Sequence, residues 1–250
     1  MRIKNYLVPL LAGTILLSAC QKNTINLSYT NAKGEVPQLG NLIFRFNKSL
    51  IKDSLLNMWD STEYVSFDPK IPGRFRWESP DQLIFSPSQP LNPATTYEVK
   101  IRNAVLKYSK YDAVSGGEKL SFHTPPLTLE NTQVTWVGES GGSALPQVEL
   151  FFNYRVNPAD LKEKLNIEVA GKKVDYTAVI QSADNNIPVR INGLKQEDRD
   201  LEAKVIIEKG LKPQLGGNAT SEPMTASFYI PSPYSLAIQN MEAEHDGVEG

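Results

Sequence analysis

The residue with the most specific chemistry in this 250-residue chain is Cys20, the only cysteine, whose thiol therefore has no partner for an intramolecular disulfide. A basic start with Arg2 and Lys4 is followed by an apolar run from Tyr6 to Leu17 and then by two small residues. This order is typical of a secretory signal peptide, and the run is too short to cross a bilayer as a mature helix. The pattern predicts a secretory signal peptide within residues 1–19.

The four residues Leu17-Ser18-Ala19-Cys20 resemble the lipobox of bacterial lipoproteins. The resemblance implies diacylglycerol on the Cys20 thiol, cleavage before Cys20 and acylation of the new amino group. Several acyl chains make a stable anchor, whereas one chain binds only marginally. We therefore expect membrane lipid to be a partner through the Cys20 acyl chains, with the chain in the cell envelope and facing the periplasm. The alternative is an ordinary signal peptide with a chance cysteine.

The remaining reactive residue types do not form a catalytic pattern. The two histidines, His123 and His245, have no second His or Cys nearby at the spacing of metal ligands. The Gly-rich stretch at residues 137–143 lacks the Gly-Lys-Ser/Thr ending of a phosphate loop. The sequence predicts no enzyme, no cofactor and no metal site.

Three acidic residues, Asp60, Glu63 and Asp68, could form a carboxylate cluster for calcium. Their spacing matches no EF-hand loop, so a solvated loop is the favoured interpretation. The formal net charge of −2 provides no long-range attraction to polyanions, and no nucleic-acid partner is expected. Trp77 is expected to fill a core, with sugar stacking as the minor alternative.

The elements that position these residues are predicted to be short β-strands separated by prolines. The apolar run Leu83–Phe85 is followed by several prolines, which lack the backbone N–H that a sheet ladder needs. Beyond them, apolar residues alternate with charged ones from Tyr97 to Ile101, which indicates a strand with one buried face. The spacing of Leu91, Pro93 and Tyr97 is typical of a tyrosine corner, in which a Tyr that opens a strand bonds its hydroxyl to upstream backbone.

The second half of the chain repeats the strand pattern of the first. Val148–Asn153 parallels Leu42–Asn47, and Leu201–Ile207 parallels the strand that begins at Tyr97. The pair Gly216-Gly217 parallels Gly116-Gly117 in the same order. The offset between the paired positions stays at roughly 100 to 106 residues, and a repeat of that length indicates domains in series. The predicted fold class is all-β, with two immunoglobulin-like β-sandwich domains after a lipoprotein signal peptide.

The predicted domain ranges follow from this repeat. Residues 20–36 form a tether from the lipidated cysteine, with one short strand around Ile25–Tyr29. The first sandwich covers 37–126 and the second 127–232. Ser235–Gln239 has the character of a new first strand, so 233–250 is expected to begin a third, truncated domain; a solvated acidic tail is the alternative.

Four motifs together resemble the bacterial Ig-like domain that begins bacterial alpha-2-macroglobulins: Gly73-x-Phe-x-Trp77, Leu83-Ile-Phe-Ser-Pro87, Pro90-Leu91-x-Pro93 and Thr96-Tyr97-x-Val99. The resemblance covers residues 36–125 well, and 145–231 is compatible with a second macroglobulin-like domain. It implies a large endopeptidase inhibitor. In that family a protease cuts an exposed bait segment, the domains rearrange around the protease, and many members bind it through a Cys–Gln thioester.

This sequence contains neither an identifiable bait segment nor a thioester cysteine, so no inhibitory residue is carried over. The resemblance therefore implies a membrane-anchored N-terminal scaffold of an inhibitor that traps proteases in the periplasm, with proteases as partners. The alternative, from a different functional class, is a lipid-anchored Ig-like structural, adhesive or ligand-binding protein of the cell envelope. Fold alone does not separate the two.

Overall fold

The structure is a computed structural model that describes residues 23–138 and 144–234. The predicted signal peptide and the lipobox residues Leu17, Ser18, Ala19 and Cys20 lie outside the described residues. The same is true of residues 235–250, where a third domain is predicted to begin. Within the described ranges, no helix is long and apolar enough to cross a membrane.

Ten strands and two 3₁₀ turns build the first sandwich. The strands are β1 (Thr24–Thr30), β2 (Gly34–Glu35), β3 (Leu42–Phe46), β4 (Trp59–Asp60), β5 (Val65–Asp68), β6 (Gly73–Ser79), β7 (Gln82–Pro87), β8 (Thr96–Ile101), β9 (Ala113–Ser115) and β10 (Leu120–His123). The 3₁₀ turns are Asp53–Leu55 and Asn103–Leu106. One sheet has the order β4-β6-β7-β3-β1-β9 and the other β2-β10-β8-β5.

Eight strands and one short helix build the second sandwich. They are β11 (Leu129–Gly138), β12 (Ala144–Val156), α1 (Pro158–Lys162), β13 (Leu165–Val169), β14 (Lys172–Val174), β15 (Tyr176–Ala178), β16 (Asp184–Ile191), β17 (Leu201–Ile207) and β18 (Met224–Ile230). The two sheets have the orders β11-β12-β16-β15 and β14-β13-β17-β18. The all-β, Ig-like sandwich class predicted from the sequence is confirmed.

The two sandwiches share one strand topology. The neighbours β6-β7-β3-β1 in the first correspond to β15-β16-β12-β11 in the second, and β5-β8-β10 correspond to β13-β17-β18. An asparagine plays the same part in each: Asn47 Oδ1 accepts the N–H of Asn26 at 2.9 Å, and Asn153 Oδ1 accepts the N–H of Thr128 at 2.9 Å. The sequence repeat therefore corresponds to a repeat of sheet order and of one side-chain contact.

The two cores differ in their chemistry. The first is rich in aromatic side chains: Phe44, Phe46, Tyr64, Phe67, Phe75, Trp77, Phe85, Tyr97 and Phe122. Most of its ring pairs meet at tilted or edge-on angles, which suits the quadrupole of each ring, while Tyr97 and Phe122 are stacked with their centroids 5.0 Å apart. The second is almost entirely aliphatic, and Phe152 is the one aromatic residue among its buried members. Both cores form without any disulfide, so burial of apolar side chains is their main source of stability.

Some local expectations differ from the structure. Residues 20–36 are predicted as a tether with one short strand, yet β1 in this range pairs with β3 and β9 and buries Ile25 completely. Part of this range is therefore an integral strand of the first sandwich. Residues 108–117 also contain a strand, β9, which pairs in parallel with β1. The predicted domain boundaries themselves stay predictions.

The tyrosine corner has a defined geometry. Tyr97 is 2% exposed, and its hydroxyl oxygen accepts the N–H of Asn92 at 2.9 Å, five residues upstream. Burial raises the pKa of Tyr97, although the Asn92 N–H acts in the opposite direction. Leu91, 3% exposed, and Pro93 are buried beside it. The hydroxyl thus links the start of β8 to the end of the proline-rich segment before it.

Tyr64 makes a second polar contact at the edge of the aromatic core. Its hydroxyl donates to Asp60 Oδ2 at 2.6 Å, while the N–H and hydroxyl of Thr62 both donate to Asp60 Oδ1 at 2.8 Å. Burial and this bond raise the pKa of Tyr64 to about 12. For Asp60, burial alone would raise the pKa, but the bonds from Tyr64 and Thr62 lower it below the ordinary value.

We predict that Tyr97→Phe lowers the free energy of unfolding by about 1 kcal/mol, because the N–H of Asn92 loses its acceptor. Tyr229→Phe is the matched control, since Tyr229 is 67% exposed. Urea denaturation of both variants measures the effect. Equal midpoints for the two variants would contradict a stabilising role for the corner hydroxyl.

We also predict a pH effect from Asp60. Because its folded pKa lies below the ordinary value of 3.8, its contribution to stability is present above that value and is lost as pH falls through the folded pKa. Asp60→Asn should therefore show a smaller drop in melting temperature between pH 6 and pH 3 than the parent chain. Parallel melting curves of the two proteins across this range would count against the assignment.

Candidate functional site

The junction between the two sandwiches is held by several side-chain hydrogen bonds. On its first side, Thr124 joins two turns of the chain: its hydroxyl donates to the carbonyl of Asn92 at 2.7 Å and accepts the N–H of Thr95 at 2.9 Å. The Thr95 hydroxyl donates to the carbonyl of Pro93 at 2.7 Å. Residues 92–96 are therefore held from both ends, by Tyr97 and by Thr124.

The second sandwich holds the linker that leaves this corner. The hydroxyl of Tyr154 donates to the carbonyl of Pro125 at 3.0 Å, and Asn153 Nδ2 donates to the carbonyl of Pro126 at 2.8 Å. Asn153 thus uses both ends of its amide, one for the repeat contact with Thr128 and one for the linker. The Pro-Pro segment is fixed on the second sandwich instead of forming a free hinge.

A cleft of about 470 Å³ lies at this junction. Its walls include Thr96, His123 and Thr124 from the first sandwich and Asn218 and Glu222 from the second. The Nδ1 atom of His123 lies 3.2 Å from the carbonyl oxygen of Thr124. In the described part of the chain, no three His, Cys, Asp or Glu side chains lie close enough together to hold a metal ion.

A larger open cleft of about 840 Å³ covers one face of the first sandwich. Its charged walls include side chains of both signs, among them Glu98, Lys100, Arg102, Glu118 and Lys119. The backbone N–H groups of residue 118 itself and of Gly116 lower the pKa of Glu118. A surface with this mixture does not favour anions over cations, and we assign no ligand class to it.

The residues proposed for calcium do not converge. Both carboxylate oxygens of Asp60 are occupied by Thr62 and Tyr64, while Glu63 and Asp68 are exposed. Asp60 therefore serves as a local structural acceptor.

Trp77 and Trp59 have opposite environments. Trp77 is 3% exposed and lies edge-on to Tyr64 with ring centroids 5.8 Å apart, so it is a core residue without a face free for sugar stacking. Trp59 is 44% exposed, and the guanidinium groups of Arg74 and Arg76 lie 5.1 and 5.0 Å from its ring. The sequence pattern alone did not indicate this contact between Trp59 and the two arginines.

Comparison with known proteins supports one family. No protein-family profile matches the chain. An alpha-2-macroglobulin of Pasteurella multocida (strain Pm70) is 22% identical over 238 residues, which cover 88% of this chain and 12% of that protein. An alpha-2-macroglobulin homolog of Yersinia pestis is 20% identical over 187 residues, covering 72% of this chain and 9% of that protein. An alpha-2-macroglobulin of Rickettsia conorii (strain ATCC VR-613 / Malish 7) is 24% identical over 166 residues, which cover 65% of this chain and 9% of that protein.

Solved structures resemble the chain only weakly. An L,D-transpeptidase from Mycobacterium smegmatis is 13% identical, covers 52% of this chain and 76% of its own, and gives a TM-score of 0.28. A score this low carries no functional information. The chain spans between 9% and 12% of the length of the curated relatives it matches. The three sequence matches agree with the resemblance carried by the residue motifs: the chain is similar to a part of bacterial alpha-2-macroglobulins.

Proposed function

We propose that this chain is the membrane-anchored N-terminal scaffold of an alpha-2-macroglobulin-like endopeptidase inhibitor that traps proteases in the periplasm. The observation that carries the proposal is the similarity to three bacterial alpha-2-macroglobulins over 65% to 88% of the chain. The role is non-enzymatic: the two sandwiches supply rigid spacing, and the bait segment and the thioester belong to other parts of the inhibitor.

The packing of the two cores and the contacts at their junction support a scaffold role. The aromatic and aliphatic cores make each sandwich stable without disulfides, and the junction is braced by Tyr154 and Asn153. A trap has to keep its parts in fixed positions before cleavage, and compact all-β units suit that purpose. The proposed anchor is Cys20, whose acyl chains would hold the scaffold at the membrane.

The second candidate is a lipid-anchored protein of the cell envelope whose Ig-like domains bind a ligand. One observation favours it: Trp59 is partly exposed, and the guanidinium groups of Arg74 and Arg76 both lie over its ring, 5.1 and 5.0 Å from the centroid. Trp and Arg are enriched among the residues that carry most of the binding energy at protein interfaces. The two candidates differ in whether a protease loses access to large substrates when the protein is present.

The trapping proposal predicts a size-dependent loss of protease activity. A protease incubated with the full-length protein of the source cell should lose activity on a large protein substrate and keep activity on a small peptide substrate, because entrapment blocks only bulky molecules. The 250-residue chain alone, which lacks an identifiable bait segment, is the control and should leave both activities unchanged. Unchanged cleavage of the large substrate by the protease in the presence of the full-length protein would contradict trapping and favour the ligand-binding candidate.

The anchoring proposal predicts that Cys20→Ser abolishes incorporation of labelled palmitate and removes the protein from the washed membrane fraction. The thiol is the acceptor of the first lipid, and serine lacks the nucleophilicity of a thiolate. Gln21→Ser, which leaves the cysteine in place, is the control and should still be labelled. Persistent labelling of the Cys20→Ser variant would rule out lipidation at this position.

A further inference from the structure

The loop between β17 and β18, residues 208–223, leaves the second sandwich and contacts the tyrosine corner of the first. The backbone N–H of Asn218 donates to the carbonyl of Ala94 at 2.6 Å, and Asn218 Nδ2 donates to the hydroxyl of Thr96 at 3.2 Å. Asn218 and Thr96 are 122 residues apart in sequence. The contact therefore connects the two sandwiches independently of the linker at Pro125 and Pro126.

Gly217 makes the closest approach in this contact. A Cβ atom placed on Gly217 would lie 2.0 Å from the carbonyl oxygen of Pro93 and 3.0 Å from that of Ala94. Both neighbours are backbone atoms, which cannot rotate aside as a flexible side chain can. Gly217 also has a φ of +92°, in the region that favours glycine. Any other residue at this position would separate the loop from the corner.

The loop is braced on the side of the second sandwich. The N–H of Gln214 donates to the carbonyl of Arg155 at 2.8 Å, and the N–H of Thr220 donates to the carbonyl of Leu211 at 2.9 Å. Leu211 is 1% exposed and belongs to the second core. The loop is thus bonded to its own sandwich at several points. Its contact with the corner therefore fixes the second sandwich relative to the first.

The corner is equally well fixed on the first side. Ala94 is 4% exposed and has a φ of +45°, a left-handed conformation that is uncommon for alanine. The segment around it is held by the hydrogen bond between Asn92 and Tyr97 and by the bonds that Thr124 makes with Asn92 and Thr95. The carbonyl groups of Pro93 and Ala94 therefore already point at the loop, and docking needs little further ordering of the corner.

We infer that loop 208–223 is an interdomain clamp, which locks the second sandwich onto the tyrosine corner of the first through Gly217 and Asn218. A linker alone would leave rotation about its bonds free, whereas a second attachment removes it. The clamp and the linker contacts of Tyr154 and Asn153 give the pair two separate attachments. The two sandwiches consequently move as one rigid body with a fixed orientation. The inference does not depend on protease trapping, because it concerns the 250-residue chain alone.

The adjacent glycines provide a matched test. Gly216 and Gly217 have φ values of +88° and +92°, so alanine strains the backbone to a similar degree at either position. A Cβ on Gly216 meets nothing within 4 Å, whereas one on Gly217 collides with the corner. Gly217→Ala should therefore disturb the orientation of the sandwiches, and Gly216→Ala should not.

The measurement is the distance distribution between spin labels on cysteines introduced at the exposed positions Lys48 and Lys172, in a chain in which Cys20 is replaced by Ser. The parent and Gly216→Ala should give the same narrow distribution, and Gly217→Ala should give a broadened or shifted one. Identical distributions for the two alanine variants would overturn the clamp. Because the distance distribution reports the relative orientation of the two sandwiches, it distinguishes a clamp from a local effect on stability.

A milder pair of variants keeps the inference testable if Gly217→Ala fails to fold. Asn218→Ala removes the side-chain donor, and Thr96→Val removes its acceptor. Because the two groups bond to each other across the junction, the double variant should lose no more thermal stability than Asn218→Ala alone. Losses that simply add would show that the two residues act independently and would overturn the contact.

Discussion

The hydroxyl of Tyr97 is the constraint on which much of this structure depends. The hydroxyl oxygen accepts the N–H of Asn92 and so fixes the proline-rich segment relative to the start of β8. The same segment presents the carbonyl groups of Pro93 and Ala94 to the second sandwich. One phenolic oxygen, buried in an aromatic core, therefore stabilises a local corner and a junction between domains. Its stability contribution is of the order of a single hydrogen bond, but its geometric effect extends across both sandwiches.

The strands around this corner could be predicted because their side chains alternate. Tyr97 and Val99 point into the core, and the charged residues between them face water, as the period of two requires. Trp77 and Leu91 are buried in the core of the first sandwich. The repeat was also visible in the sequence, since Asn47 and Asn153 follow similar apolar runs, although their shared hydrogen-bond role became apparent only in three dimensions.

The remaining features depend on contacts between residues that are distant in sequence. The short strand β9 has only three residues, and its pairing with β1 has no local signal. Gly217 was visible as part of a repeated pair of glycines, but nothing in the sequence indicated that its missing side chain makes room for Pro93. Trp59 carries no periodic pattern either, and its position beside Arg74 and Arg76 follows from the pairing of β4 with β6. Local patterns specify strands, whereas docking depends on tertiary geometry.

The central claim is that the corner of the first sandwich and the loop of the second form one locked unit. Native-state hydrogen exchange at the amides of Asn92 and Asn218 tests it most directly, because these N–H groups bond to Tyr97 and Ala94. If the unit is locked, both amides open only together with the sandwiches and show similar, high protection. Fast exchange at Asn218, typical of a free loop, combined with strong protection at Asn92 would contradict the account.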